Sequence, residues 1–160
     1  MSYFAVVVAR TNDEWRAVEV SLEDCESLAD IGDVARDVPA DVRLVLIEQD
    51  DEYAALVRVD EDDEARGFLS DGHAADAYPV AAMIAEDLVE IGEDELIEDE
   101  DAPPAHESMP FGDADIAEDL GTSAGDLLSM CAHEGTLPID VLVAVCEKAG
   151  CGDAFDNVRA

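Results

Sequence analysis

One lysine, Lys148, stands in the whole sequence, and the 8 basic residues face 42 Asp and Glu, for a formal net charge of −34 over 160 residues. So little positive charge excludes autonomous binding to DNA, RNA or an anionic membrane, because phosphate recognition needs clustered Lys and Arg to release counterions. Long apolar runs are missing as well. Phe4–Ala9 and Val141–Cys146 are six residues each, against the roughly 20 that a bilayer-crossing helix needs. No basic stretch precedes the first run, so it reads as a strand and not as a signal peptide. Cys25, Cys131, Cys146 and Cys151 are too few and too dispersed for a disulfide scaffold, and a reducing cytoplasm is the expected compartment. No Gly-rich loop suited to cradling phosphate occurs.

What is present is an ordinary apolar content of 49%, which separates this chain from a disordered acidic tail. Charge divides it into three regions. Residues 1–92 carry a net −18 and residues 116–160 a net −6, while residues 93–115 carry −10 with no base at all. Like charges that repel, together with Pro103-Pro104, make that middle stretch the expected linker. The organisation expected is therefore an α+β sheet domain (1–92), an acidic Pro-containing linker (93–115) and a C-terminal helical subdomain (116–160).

The first region alternates strand and helix signals. Tyr3–Ala9 and Trp15–Leu22 are β-rich runs around Thr11-Asn12-Asp13, which predicts a hairpin. Ser27-x-x-Asp30 offers a helix cap ahead of Leu28, Ile31, Val34 and Ala35. Val42–Ile47 and Tyr53–Val59 predict a second hairpin, and Gly67–Ser70 a further short strand. Pro79 opens a helix with Val80, Met83, Ile84, Leu88 and Ile91 on one face, closed by Gly92. The resulting ββαβββα order implies a mainly antiparallel sheet with helices on a face, in outline like longin or profilin folds. Beyond the linker, Ser123-x-x-Asp126 caps a helix ended by Gly135, and Thr136-Leu-Pro138 starts another ended by Gly150. This helical hairpin has the outline of a helix-turn-helix, but Asp140 and Glu147 against one Lys148 make no recognition helix.

Few residues point to chemistry. Cys131-x-His133 with Cys146 and Cys151 offers four soft ligands, yet the spacing departs from zinc pairs and the thiols fall on apolar helical stripes, so core packing is expected and no metal or cofactor. Ser70-Asp71-Gly72-His73 gathers triad-type residues, but adjacent side chains cannot relay a proton in triad geometry, and a turn role is expected. Asp60-x-Asp62-x-Glu64 lacks the central Gly and closing Glu of a calcium loop. Arg10 and Arg16 flank the first hairpin turn, Arg58 and Arg66 flank the acidic turn at 60–64, and each is expected to pair internally.

Three stretches taken together resemble a known bacterial family: Ser2–Arg10 followed by Trp15; Asp50–Tyr53 through Val57–Asp60 and Phe68–Asp71; and Asp119-Leu-Gly-Thr122 through Gly135–Pro138. The pattern is similar to that of the tRNA adenosine deaminase-associated proteins. The resemblance brings no catalytic residues with it, and the chain lacks the His-x-Glu and Cys-x-x-Cys pattern of a zinc deaminase. It implies a non-enzymatic acidic adaptor or regulator, a partner of tRNA adenosine deaminase or of another basic protein surface. The expected docking residues are the linker acids Glu93, Asp94, Glu95, Glu98, Asp99, Glu100 and Asp101. The alternative is a small-molecule or nucleotide-sensing module near Arg43, Arg58 or His73. A plainer version of the first reading takes the acidity as adaptation to salt or solubility, which fits the near-absence of lysine equally well, and an enzyme ranks third.

Overall fold

The protein is described from a computed structural model, which covers residues 3–12, 14–49, 51–60, 65–71, 74, 78–91, 111–112, 114–132 and 137–159. The valine-rich run at the start forms β1 (Tyr3–Thr11), buried along most of its length. It turns back through Asn12, at φ 53°, into β2 (Glu14–Glu19), with Thr11 opposite Glu14. A positive φ is tolerated by Asn in tight turns, which is why a short polar turn suffices here. After α1 (Leu28–Arg36), the chain forms β3 (Val42–Gln49), β4 (Tyr53–Asp60) and β5 (Arg66–Leu69), then α2 (Pro79–Ile91). A two-residue β6 (Phe111–Gly112) pairs with β5 and completes a six-stranded antiparallel sheet in the order β2-β1-β3-β4-β5-β6. A short 3-10 turn (Glu118–Leu120) leads into α3 (Ala124–Ala132), α4 (Pro138–Ala149) and α5 (Gly152–Arg159).

Strand alternation divides the core into two layers. On one face Ala5, Val7, Ala9, Val45, Ile47, Ala55, Val57 and Val59 pack with Leu28, Ile31 and Ala35 of α1 and with Val80 and Ile84 of α2. On the other, Val6, Val8, Leu44, Leu46, Leu56 and Phe68 pack with Ile116, Leu120, Leu127, Leu142, Val145 and Phe155. The sheet is thus covered on both faces. Tyr3–Ala9 of β1 and Leu44–Ile47 of β3 read as unbroken apolar runs for this reason: each must satisfy two apolar neighbours, as a half-exposed strand does not.

The helix starts are set locally. The Ser27 hydroxyl accepts from the Asp30 N–H at 3.2 Å, and Asp30 Oδ2 accepts from the Glu26 N–H at 2.9 Å. Ser123 accepts from the Asp126 N–H at 3.1 Å to start α3, and Pro138 opens α4. These side chains satisfy N–H groups that the first helical turn leaves without carbonyl partners. Helix α5 departs from the helical hairpin expected at the C-terminus. Its residues Gly-Asp-Ala-Phe-Asp-Asn-Val-Arg carry too few apolar side chains to announce a buried face, yet Phe155 lies wholly buried within it.

Candidate functional site

The best-defined polar assembly joins β4 to the chain ahead of α3. Arg58 alternates onto the second face of the sheet, next to Leu44, and is only 4% exposed. Its Nη1 donates to the Ile116 carbonyl at 3.0 Å and to Asp119 Oδ1, and its Nη2 donates to Asp119 Oδ2 at 2.9 Å. The fork of the guanidinium matches the carboxylate in a bidentate pair. These Arg58 donors hold the Asp119 carboxyl below its ordinary value, against a smaller opposing effect of burial. Two of the family-like motifs, Val57–Asp60 and Asp119–Thr122, therefore meet in one contact, reaching 61 residues along the chain.

The two partners differ in exposure, and this fixes an asymmetry. Asp119 is 64% exposed at its side chain and Arg58 4%. Asp119→Ala takes the carboxylate away from a buried guanidinium and is expected to cost about 2–3 kcal/mol. Arg58→Met removes the buried charge together with its need for partners, leaves a solvated carboxylate, and is expected to cost only about 1 kcal/mol. Urea unfolding of both variants checks the order; a larger loss for Arg58→Met overturns it. Because the folded carboxyl titrates below the unfolded one, this stabilisation is full above the unfolded value of about 3.9 and disappears as pH falls through the lower folded value. Asp119→Asn is accordingly expected to flatten that acid limb of the stability profile.

Arg43 lies on the first face, opposite Ala9 and Val59, and is 7% exposed. Its Nε donates to the Val38 carbonyl at 2.6 Å just beyond α1, while its Nη1 is buried and finds no acceptor among the described residues. Arg10 lies over the Trp15 ring at 5.5 Å, a cation–π contact on the hairpin. Lys148 reaches Asp126 across α3 and α4 at 3.5 Å. The expectation of internal pairing holds for Arg58, though its carboxylate comes from a distant turn.

Among the described residues, depressions open at the surface in at least two places. One, of about 630 Å³, lies at the β1–β2 turn between Trp15, Arg16 and Pro39. Another, of about 240 Å³, lies between the β3–β4 turn and the α3–α4 pair and is lined by Asp51, Glu52 and Asp71 together with Met130, Cys131 and Val141. Three carboxylates in its lining make the smaller cleft attractive to a cation and hostile to a phosphate. Ser70 on its wall accepts from the Ala54 N–H at 2.9 Å and also donates its own N–H to the Ala54 carbonyl. The hydroxyl thus extends the strand pairing of β4, as the turn role predicts.

Cys146 and Cys151 are in the core and Cys131 packs against it. Among the described residues no group of three or more His, Cys, Asp or Glu could hold a metal ion. Likewise among the described residues, no helix is long and apolar enough to cross a membrane. His73, His133, Asp62, Glu64 and the docking acids Glu93, Asp94, Glu95, Glu98, Asp99, Glu100 and Asp101 lie outside the described residues.

An antiparallel sheet faced by helices on both sides, with its buried arginines turned to the core and an acidic surface around it, is the class of molecule this chain represents: an acidic α+β protein. It belongs to the family described as Rv3753c-like tRNA adenosine deaminase-associated protein, whose family model matches residues 3–152. Comparison with curated proteins and with solved structures gave no match.

Proposed function

We propose that this protein is a non-enzymatic acidic adaptor or regulator that acts in the cytoplasm on a tRNA adenosine deaminase. The observation that carries the reading is the net charge of −34 on a member of a family described as deaminase-associated. An enzyme that handles tRNA presents a basic surface, and an acidic partner is steered to that surface and competes with tRNA for it. The linker acids Glu93, Asp94, Glu95, Glu98, Asp99, Glu100 and Asp101 form the proposed docking segment, supplemented by the cleft of Asp51, Glu52 and Asp71. The test is co-purification at low salt against the deaminase and tRNA offered separately. Retention by the enzyme alone, with inhibition that molar salt abolishes, supports the reading. No binding at low salt overturns it, and strong thermal stabilisation by molar salt without any partner favours salt adaptation instead.

A sensing module is the second reading, and one observation favours it: among the described residues the buried Arg43 Nη1 finds no acceptor. Against it, the Arg58 donors already engage Asp119 and Ile116. A rise in Tm with inorganic phosphate that Arg43→Met abolishes would move the balance to this reading.

A further inference from the structure

Helix α4 ends in a turn with an unusual pair of side chains. Gly150 takes φ 94°, its N–H donates to the Cys146 carbonyl at 3.0 Å, and the Cys151 N–H donates to that same carbonyl at 2.8 Å. This is the Schellman closure, in which the residue after the glycine packs back onto the residue that supplies the carbonyl. An apolar pair ordinarily fills that contact. Here both members are thiols, 0% and 1% exposed, at the corner between α4 and α5.

The other two cysteines are differently placed. Burial, reinforced by Asp30, Asp24 and Asp33, raises the Cys25 thiol. Burial and then Asp71 push Cys131 up to about 11. Both are protonated at neutral pH and are weak nucleophiles. At the corner the two thiols are close enough to act on each other, and each is the main influence on the other: Cys146 is raised and Cys151 lowered.

We infer that Cys146 and Cys151 are a two-electron modification site, at which a peroxide converts the facing thiols into a disulfide across the α4–α5 corner. The Cys151 sulfur attacks one peroxide oxygen, the O–O bond breaks, and the departing oxygen takes up a proton and leaves as water. The Cys146 sulfur then displaces the hydroxyl of the sulfenic acid so formed; the S–S bond replaces the S–O bond, and the thiol proton leaves with the hydroxyl as a second water. Two electrons pass from the sulfurs to the peroxide. Entry of the oxidant requires α5 to open, and an eight-residue helix that depends on tertiary packing is a unit able to open locally.

The sequence supplies its own assay, since the one lysine, Lys148, lies between the two cysteines. The full chain is treated with hydrogen peroxide, its free thiols are alkylated under denaturing conditions, and it is cut with a lysine-specific protease. The expected result is that fragment 149–160 stays attached to the rest until a reductant is added, while Cys25 and Cys131 carry the alkyl group. In Cys146→Ser the fragment is expected to come free without reductant. Release of the fragment from the oxidised wild-type chain overturns the inference, whether Cys151 is alkylated or oxidised to sulfinic acid. Retention that persists in Cys146→Ser also overturns it, because the link then runs to Cys25 or Cys131. The wild-type digest decides the question even if the variant folds poorly.

Discussion

Phe155→Ala is expected to destabilise the protein by about 3–5 kcal/mol, the range for removing a buried aromatic side chain from a packed core. The residue is fully buried and meets Phe4 of β1 edge to face, with ring centroids 5.8 Å apart. That contact ties α5 to the sheet's second face, where Val6, Val8, Val145 and Cys151 belong to the same cluster. Helix α5 has little apolar surface besides Phe155, Ala154 and Val158, so the truncation removes most of what docks it. For a chain of this length the loss corresponds to a Tm lower by about 10–15 °C. Thermal and urea unfolding read it directly, and Phe155→Leu, which keeps most of the volume, is expected to cost no more than about 1.5 kcal/mol. A cost below about 1 kcal/mol for the alanine variant would mean that α5 does not close this face.

The second large effect is expected at Gly121, in the Asp119-Leu-Gly-Thr stretch. Its φ is 110°, a conformation that side-chain-bearing L-residues rarely adopt, and a Cβ there would lie 2.7 Å from the Lys148 carbonyl oxygen of α4. Backbone meets backbone at this point, so no flexible side chain can swing away. Gly121→Ala is expected to cost about 3 kcal/mol by combining the conformational strain with the displacement of α4 from the turn. The shift also moves Asp119, two residues earlier, so Gly121→Ala combined with Asp119→Ala is expected to cost less than the two separate losses together. Gly125 supplies the control. It sits in α3, where an added Cβ would meet nothing within 4 Å, and Gly125→Ala is expected to gain about 0.5–1 kcal/mol from helix propensity. Equal effects at the two glycines would refute the close approach at Gly121.

Several elements were legible because their causes are local. The Ser27–Asp30 and Ser123–Asp126 caps each lie within four residues, and both form the expected hydrogen bonds. The first hairpin needs only two β-rich runs and a polar turn, and it forms with Thr11 opposite Glu14. Arg58 shows the limit. Its neighbours in sequence are rich in carboxylates, yet the carboxylate it binds is 61 residues away. With 42 acids to choose from, spacing cannot rank the candidates; strand alternation puts Arg58 on the second face, and only the packing of residues 116–120 on that face selects Asp119. The α4–α5 corner left a clearer trace, since Cys146, Gly150 and Cys151 stand at the spacing of a Schellman closure.

By itself, the sequence determined the acidic character, the mainly antiparallel α+β class and the resemblance to deaminase-associated proteins. These depend on composition, on local hydrogen bonding and on apolar periodicity, which act over a few residues. The tertiary structure decided that both faces of the sheet are covered, that α5 closes the second face through Phe155, that Arg58 takes Asp119, and that two of the four thiols meet. Each of these joins groups whose mutual approach depends on how whole elements pack, and burial of apolar area, which is non-directional, leaves no residue-by-residue signature of which elements will meet.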